Sequence, residues 1–457
     1  MLSDLLAPPT SGRPAVASAR SVSPGRGRPA ILPGAILWMG LLVGVLRGVT
    51  TQRGIWRLLA VHGLWSFPRF PVTDQALYNR LQRLAPATWA AFFDQVTAAL
   101  AARLPGLTAQ SLAPFAPRIV ALDHTVLDAV LRKVKAFRDC RPGDLGLIPG
   151  TLACAFDIRR QLWLQVLYRD VVQDPWDDFS DFIQTLEPGS LLLFDLGFFS
   201  FEWFDWATEN GYWFVSRLRK RTTYQTLHVF YESRNQATGA GVISLSDRLV
   251  FLGNYAASRA GKPVRLVQIT LGATTYSYVT NVLDPCQLPA WQLDALYCRR
   301  WDIEGGFNLV KTFLGMAELW SGHRGVLTHQ VFATFVTAQI ILAFRNEVAQ
   351  RAGCDLQEIS VRLLVEWVPR LAQMGRDPLE EIVLTGREAG YIRPFRGKPR
   401  NVPQPDPEEY APAPEIPTRQ AHFPNREAYL SRQKELRAAK RASGQSTYRP
   451  HGNKSIP

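Results

Sequence analysis

The densest run of chemically capable side chains is Tyr297-Cys-Arg-Arg-Trp-Asp-Ile-Glu-Gly-Gly-Phe-Asn-Leu-Val-Lys311. On a helix turning about 100° per residue, Arg300, Glu304 and Lys311 fall at about −60°, −20° and −40° from Tyr297. One carboxylate is then flanked along a single stripe by a phenol, a guanidinium and an ammonium, while Asp302, at about 140°, faces elsewhere. Such a stripe suits a metal-bound phosphate: the carboxylate holds a cation, and Arg300, Lys311 and Tyr297 contact neighbouring phosphates. The plain alternative is a solvated helix with an Arg–Glu pair worth about a few tenths of a kcal/mol. That alternative leaves Gly305 and Gly306 unexplained, since a glycine inside a helix costs about 1 kcal/mol.

Two aspartates stand at the ends of short apolar runs, Arg118-Ile-Val-Ala-Leu-Asp123 and Ser190-Leu-Leu-Leu-Phe-Asp195. In α/β sheets the loops beyond strand ends host the site. Asp123 and Asp195 from neighbouring strands, with Glu304 from a helix, form a set able to hold two Mg²⁺ or Mn²⁺ ions about 3.5–4 Å apart. Such ions activate an attacking water or hydroxyl and steady the leaving oxygen of a phosphodiester. Each aspartate taken alone reads equally well as a cap on the segment that follows it. The three carboxylates in this order carry the chemical reading.

The spacing Tyr297-x2-Arg300-x3-Glu304-x6-Lys311 resembles the Y-R-E-K signature of bacterial insertion-sequence transposases of the DDE class, the IS-four-like group. Asp123-His-Thr125 resembles the first-aspartate motif of that family, and Asp195-Leu-Gly-Phe-Phe-Ser200 the second. The resemblance spans roughly residues 70–350. It implies a ribonuclease-H-like mixed sheet flanked by helices and interrupted by an antiparallel β insertion. It also implies Asp123, Asp195 and Glu304 as catalytic metal ligands, two Mg²⁺ or Mn²⁺ ions, and double-stranded DNA as partner, both element ends and target. A homodimer in the DNA complex and a cytoplasmic, nucleoid-associated location follow from the same resemblance. Water would nick the element end, and the freed 3′-hydroxyl would attack the other strand or the target. The alternatives are an inactive or domesticated DNA-binding copy, or a metal-dependent nuclease without strand transfer. The chain departs from the family in two places. Asn308 and Leu309 stand where relatives often carry a further basic residue, and residues 222–283 contain no Trp on which a flipped base would stack. Tyr224, Tyr255, Tyr276 and Tyr278 are the aromatic candidates there, and none is assigned that role.

These side chains need elements to position them. Residues 31–110 read as a helical, DNA-binding domain. Within it Thr73 or Asp74 caps a helix to Leu84 that buries Leu77, Leu81 and Leu84 and turns Arg80 and Arg83 toward DNA or solvent. Residues 111–221 and 284–350 read as the catalytic α/β domain. Its expected parts are a hairpin (Gly150–Asp157, Leu162–Tyr168), a helix opened by the acidic stretch from Asp174, a helix over Phe199–Asn210 and a strand over Tyr212–Arg217. Residues 222–283, rich in Thr, Val and Tyr with glycine turns, read as the β insertion, with five short strands. The basic run Arg217-Leu-Arg-Lys-Arg221 follows a strand that belongs beside the second aspartate. Arg217, Arg219, Lys220 and Arg221 are therefore phosphate candidates. His124 reads as a local hydrogen-bonding residue. A helical segment is expected over 351–390, then a basic Pro-rich tail over 391–457, mostly disordered, with one helix over Arg426–Arg441.

The chain has 457 residues and a net charge of +13. Hydrophobic residues make up 47%, which excludes a wholly disordered chain. The five cysteines form no C-x-x-C pair, so neither a disulfide framework nor a zinc site is indicated. Ile31–Leu46 falls short of the roughly 20 apolar residues of a membrane span, and no membrane association is expected. The charge sits mainly in the tails, +3 over residues 1–30 and +7 over 391–457, which leaves only +3 for the stretch carrying the motifs. The stronger case for DNA is therefore local.

Overall fold

The structure, a computed structural model, describes residues 31–64, 69–104, 112–126, 150–169, 175–238, 241–254, 258–316, 318–321, 323–394, 402–423 and 435. The expected tail over 1–30 lies outside these residues, as does the helix over Arg426–Arg441 apart from Glu435.

Among the described residues, four helices precede the sheet: α1 (Gly34–Leu46), α2 (Gln52–Arg57, prolonged by a π turn over Leu58–His62), α3 (Asp74–Arg83) and α4 (Pro86–Arg103). Thr73 caps α3 by accepting from the Ala76 amide, and Leu77 and Leu81 face inward as their spacing predicts. These helices close no core of their own, because their apolar faces lie on a long helix from the other end of the chain. One apolar core runs from Leu32 through Leu81, Trp89 and Phe93 to Phe332, Phe335 and Leu371. The described residues of 31–104 thus contribute one layer of a shared core.

The sheet has nine strands in the order β3-β2-β1-β4-β5-β9-β8-β7-β6. Its first half comprises β1 (Ile119–Val126), β2 (Thr151–Asp157), β3 (Leu162–Arg169), β4 (Leu191–Phe194) and β5 (Trp213–Arg217). β1 pairs antiparallel with β2 and parallel with β4, and β4 pairs parallel with β5. Side chains alternate between two cores: Ile119, Ala121, Leu191 and Leu193 enter one, Val120, Leu122, Leu192 and Phe194 the other. Burial on both faces explains why these strands read as continuous apolar runs. Helices α5 (Pro175–Gln184) and α6 (Phe201–Glu209) cover one face with Phe179, Ile183, Trp203 and Phe204. The opposite face carries α7 (Ala290–Arg299), α8 (Trp301–Asn308), α9 (Arg324–Ala352), α10 (Val361–Gln373) and α11 (Pro378–Thr385). α9 is long and apolar enough to cross a membrane, but 94% of its most apolar window is buried inside the protein. It serves as a core helix, apolar all round because neighbours cover it all round.

The insertion forms β6 (Tyr224–Thr238), β7 (Gly241–Leu252), β8 (Val264–Leu271) and β9 (Thr274–Thr280), antiparallel as expected. It is continuous with the sheet, since β9 pairs with β5. Val242–Leu245 and Leu249–Leu252, expected as separate strands, belong to one strand. The intervening Asp247 does not break it, because its carboxylate is paired with Arg265 at full burial.

Residues 402–423, expected within a mostly disordered tail, lie along the insertion. Ala411 donates to the Phe230 carbonyl, and Arg259 and His422 form a β bridge. The Arg419 guanidinium donates to the carbonyls of Leu252, Gly253 and Ala260 and stacks 4.3 Å from the Phe251 ring centroid. One arginine with three backbone acceptors and an aromatic face outweighs the local preference of a Pro-rich segment for solvent.

Candidate active site

Asp123 is the fifth residue of β1, not its last. The parallel pairing with β4 stops at Ala121, while the pairing with β2 runs on to Val126. Strand alternation puts Asp123 and Thr125 on the face that α8 crosses, and Asp195 leaves the end of β4 beside them. Glu304 approaches from the first turn of α8. The three carboxylates meet around one side chain. Arg300 Nη2 lies 2.9 Å from Glu304 Oε1 and 3.8 Å from Asp195 Oδ1, and Nη1 lies 3.7 Å from Asp123 Oδ2. The Arg300 side chain is 5% exposed. Lys311 donates to the Thr125 hydroxyl, and Tyr297 is buried against the Tyr278 ring, centroids 5.2 Å apart. Arg300 and Glu304 of the predicted stripe thus meet the two aspartates, Lys311 reaches Thr125 on the strand of Asp123, and Asp302 turns away to Arg299 and Gln161. Among the described residues, no group of three His, Cys, Asp or Glu side chains stands ready to surround an ion, as Arg300 lies among these carboxylates.

The electrostatics follow from this crowding. Burial pushes the Asp123 carboxyl up to about 6; the His124 amide and Arg300 hold it down, and Asp195 and Glu304 raise it. Burial likewise pushes the Tyr297 phenol up to about 12, with Arg300 opposing. Burial pulls Arg300 down, but Asp195, Tyr297, Glu304 and Asp123 outweigh it, so its pKa is raised and it stays charged. The folded chain holds the Asp123 proton more tightly than the unfolded chain, where an aspartate titrates near ~3.9. Stability from this group is therefore complete below the unfolded value and is lost as pH rises through about 6. In metal-free buffer, the melting temperature of wild type relative to Asp123→Asn is expected to rise as pH is lowered from about 7.5 to 5. Parallel pH profiles for the two proteins would exclude this.

The segment Tyr297–Lys311 is not one uniform helix. It tightens at Arg300, whose amide donates to the Tyr297 carbonyl, and widens into a π turn over Leu309–Phe313. The two glycines differ. A Cβ on Gly306 would stand 2.6 Å from the Trp163 ring, whereas a Cβ on Gly305 meets open space. Gly306 is therefore a packing residue, which the phosphate-stripe argument had no means of showing. Gly305→Ala is expected to stabilise the chain by about 1 kcal/mol through helix propensity. Gly306→Ala is expected to destabilise it, overpacking costing about 1–3 kcal/mol before that same gain. Urea midpoints of equal sign would contradict this account.

The basic run divides. Arg219 donates to the Leu196 carbonyl, beside Asp195, and lies over the Phe199 ring; Arg217 lies 5.9 Å from the Tyr297 ring centroid. Lys220 and Arg221 are exposed. In the N-terminal layer, Arg83 is exposed, and Arg80, half-buried, donates to the Leu32 carbonyl. Tyr278 is a core residue bonded to Asp294 at 2.6 Å, Tyr224 and Tyr276 pack partly into the cores, and Tyr255 lies outside the described residues.

Three features escaped the sequence reading. Asp178 in α5 is buried between Arg169 (2.8 Å) and His124 (2.9 Å), tying that helix to the strand bearing Asp123. The signal was the acidic stretch itself, read only as a helix start. Thr125 receives Lys311, and Trp301, beside Arg300, is 59% exposed. Thr125 entered the sequence reading only as part of the Asp123-His-Thr125 motif, without this role, and no spacing marks Trp301.

Fold and site together define a mixed α/β protein with a carboxylate trio at the end of its parallel strand pairs. Residues 116–336, which include all three carboxylates, match the family described as Transposase DDE domain. The y4zB protein of Sinorhizobium fredii, a transposase by its name alone, is 25% identical over 157 residues, 34% of this chain and 43% of that protein. The chain thus spans under half the length of this curated relative. A cryo-EM structure of the piggyBac transposase synaptic complex with hairpin DNA overlaps 79% of this chain and 77% of that one. Its identity is 9% and its TM-score 0.36, too loose to argue from. Residues 116–336 are thus similar to a transposase DDE domain.

Proposed function

We propose that the chain is an IS-four-like transposase that cleaves DNA at insertion-sequence ends and joins the freed 3′ ends to target DNA. The observation that carries this reading is the convergence of Asp123, Asp195 and Glu304 on the single guanidinium of Arg300. The strand order β3-β2-β1-β4-β5, with β1 antiparallel to β2 and parallel to β4, supports the ribonuclease-H-like form of the fold.

The donor set fits hard divalent cations. It is all carboxylate oxygen, and a bound cation would offset the cost of burial that raises the Asp123 pKa. Asp123, Asp195 and Glu304 would hold two Mg²⁺ or Mn²⁺ ions, which when bound supply Lewis-acid activation of the attacking hydroxyl and charge relief at the leaving oxygen. Arg300, Lys311 and Tyr297 would grip the flanking phosphates, with Arg217, Arg219, Lys220 and Arg221 extending the contact along the backbone. A homodimer would bring two ends together.

The test supplies a 3′-hydroxyl donor duplex from the element's end and a target plasmid, with Mg²⁺. Nicked ends and joined product are expected. Nicking without joining would indicate a nuclease, and neither product, with DNA still bound, a binding protein.

A further inference from the structure

Arg300 touches all three carboxylates from a buried position, yet most of its hydrogen-bonding capacity is unused. Its Nη2 donates to Glu304, while Nε and Nη1, both buried, have no acceptor among the described residues. The buried ion pair of the insertion looks different. Arg265 gives Nε and Nη2 to Asp247 at 2.8 and 2.6 Å and Nη1 to the Leu288 carbonyl at 2.6 Å, so each of its three nitrogens has an acceptor. Arg265 is a completed structural contact. Arg300 is held by charge from three sides, with donors in the fork geometry that a phosphate accepts.

We propose that Arg300 is the resident counter-cation of the trio, competing with divalent ions for the same carboxylates, so that ion loading frees its guanidinium for a DNA phosphate. This rests on the reading that the trio holds divalent ions. The coupling is reciprocal: a phosphate that draws Arg300 away raises ion affinity, and ions that displace Arg300 raise affinity for DNA. Activation then needs both partners at once, and the chain without DNA binds ions weakly.

Full-length wild type, Arg300→Gln and Arg300→Lys are titrated with MgCl₂ without DNA, and the melting temperature is followed. The expected result is a rise in every case, with the midpoint in Arg300→Gln falling about tenfold or more below wild type. Arg300→Lys, which keeps the charge, stays within about threefold of wild type. Arg300→Met is a second neutral side chain of similar length should the Gln variant fail to fold. A rise that Asp123→Asn abolishes, with the same midpoint in the neutral variants as in wild type, overturns the competition and leaves the ion reading standing. No Mg²⁺-dependent rise in any variant overturns the ion reading, and the proposal with it.

Discussion

Glu304→Gln is expected to lower DNA cleavage by about 10³-fold or more, equivalent to about 4 kcal/mol of transition-state stabilisation, while end binding stays within a few-fold of wild type. The substitution preserves shape and leaves an oxygen for Arg300 Nη2, now 2.9 Å from Oε1. What it removes is one of three negative charges. Affinity for DNA comes mainly from neutralised phosphates, each adding to the salt dependence of binding. A carboxylate adds nothing to that term and opposes it, so its loss leaves binding unchanged or slightly tighter. Gel-shift and cleavage assays on one duplex separate the two effects. A variant that cleaves at near wild-type rate would remove Glu304 from the site, and one that no longer binds DNA would make its role structural.

The second large effect lies behind the site. Trp163→Ala is expected to cost about 3–5 kcal/mol, about a fifth or more of the roughly 5–15 kcal/mol by which a domain is stable. The Trp163 ring is fully buried among Phe156, Phe307 and Phe335, with centroids 4.9, 5.2 and 5.1 Å away, and Gly306 lies against it. It is the floor on which α8 rests two residues past Glu304. A cavity there both destabilises the chain and lets the glutamate drift from the aspartates. Urea denaturation reads the first effect as a lower midpoint at unchanged slope, and cleavage per folded molecule reads the second. Trp163→Phe, which keeps a ring, should lose less of both. A cost under about 1 kcal/mol for the alanine variant would show that the helix is held from elsewhere.

Much of this arrangement was legible in the sequence, and its limits have physical causes. The cores of β1, β2, β4 and β5 were readable because burial on both faces makes them apolar runs. The stripe from Tyr297 to Lys311 was readable because helical spacing fixes which side chains share a face. That Arg300 turns to both aspartates was not, since it depends on how α8 docks on β1 and β4. The continuity of β7 through Asp247 depended on a partner, Arg265, whose register no local pattern announces. Arg80 showed a charged residue on the polar side of α3, but not the Leu32 carbonyl that captures it. The strap over 402–423 was hidden for the same reason: its composition favours disorder, and a few distant acceptors for Arg419 reverse that.

The sharing of α9 between the two ends of the chain has a consequence in time. The Leu81 carbonyl meets His329, and Trp89 and Phe93 pack on His329 and Phe332, contacts spanning some 240 residues. At about 5–20 residues per second of synthesis, a ribosome needs roughly 12–50 s to travel from one partner to the other. Through that interval Leu37, Leu41 and Trp89 have no completed surface to lie against, so the first helices made are among the last to be secured. A nascent chain therefore acquires its N-terminal layer only after Glu304 has been translated. Premature termination anywhere before α9 would yield a product with apolar helices uncovered, a target for proteolysis more than a competitor for DNA.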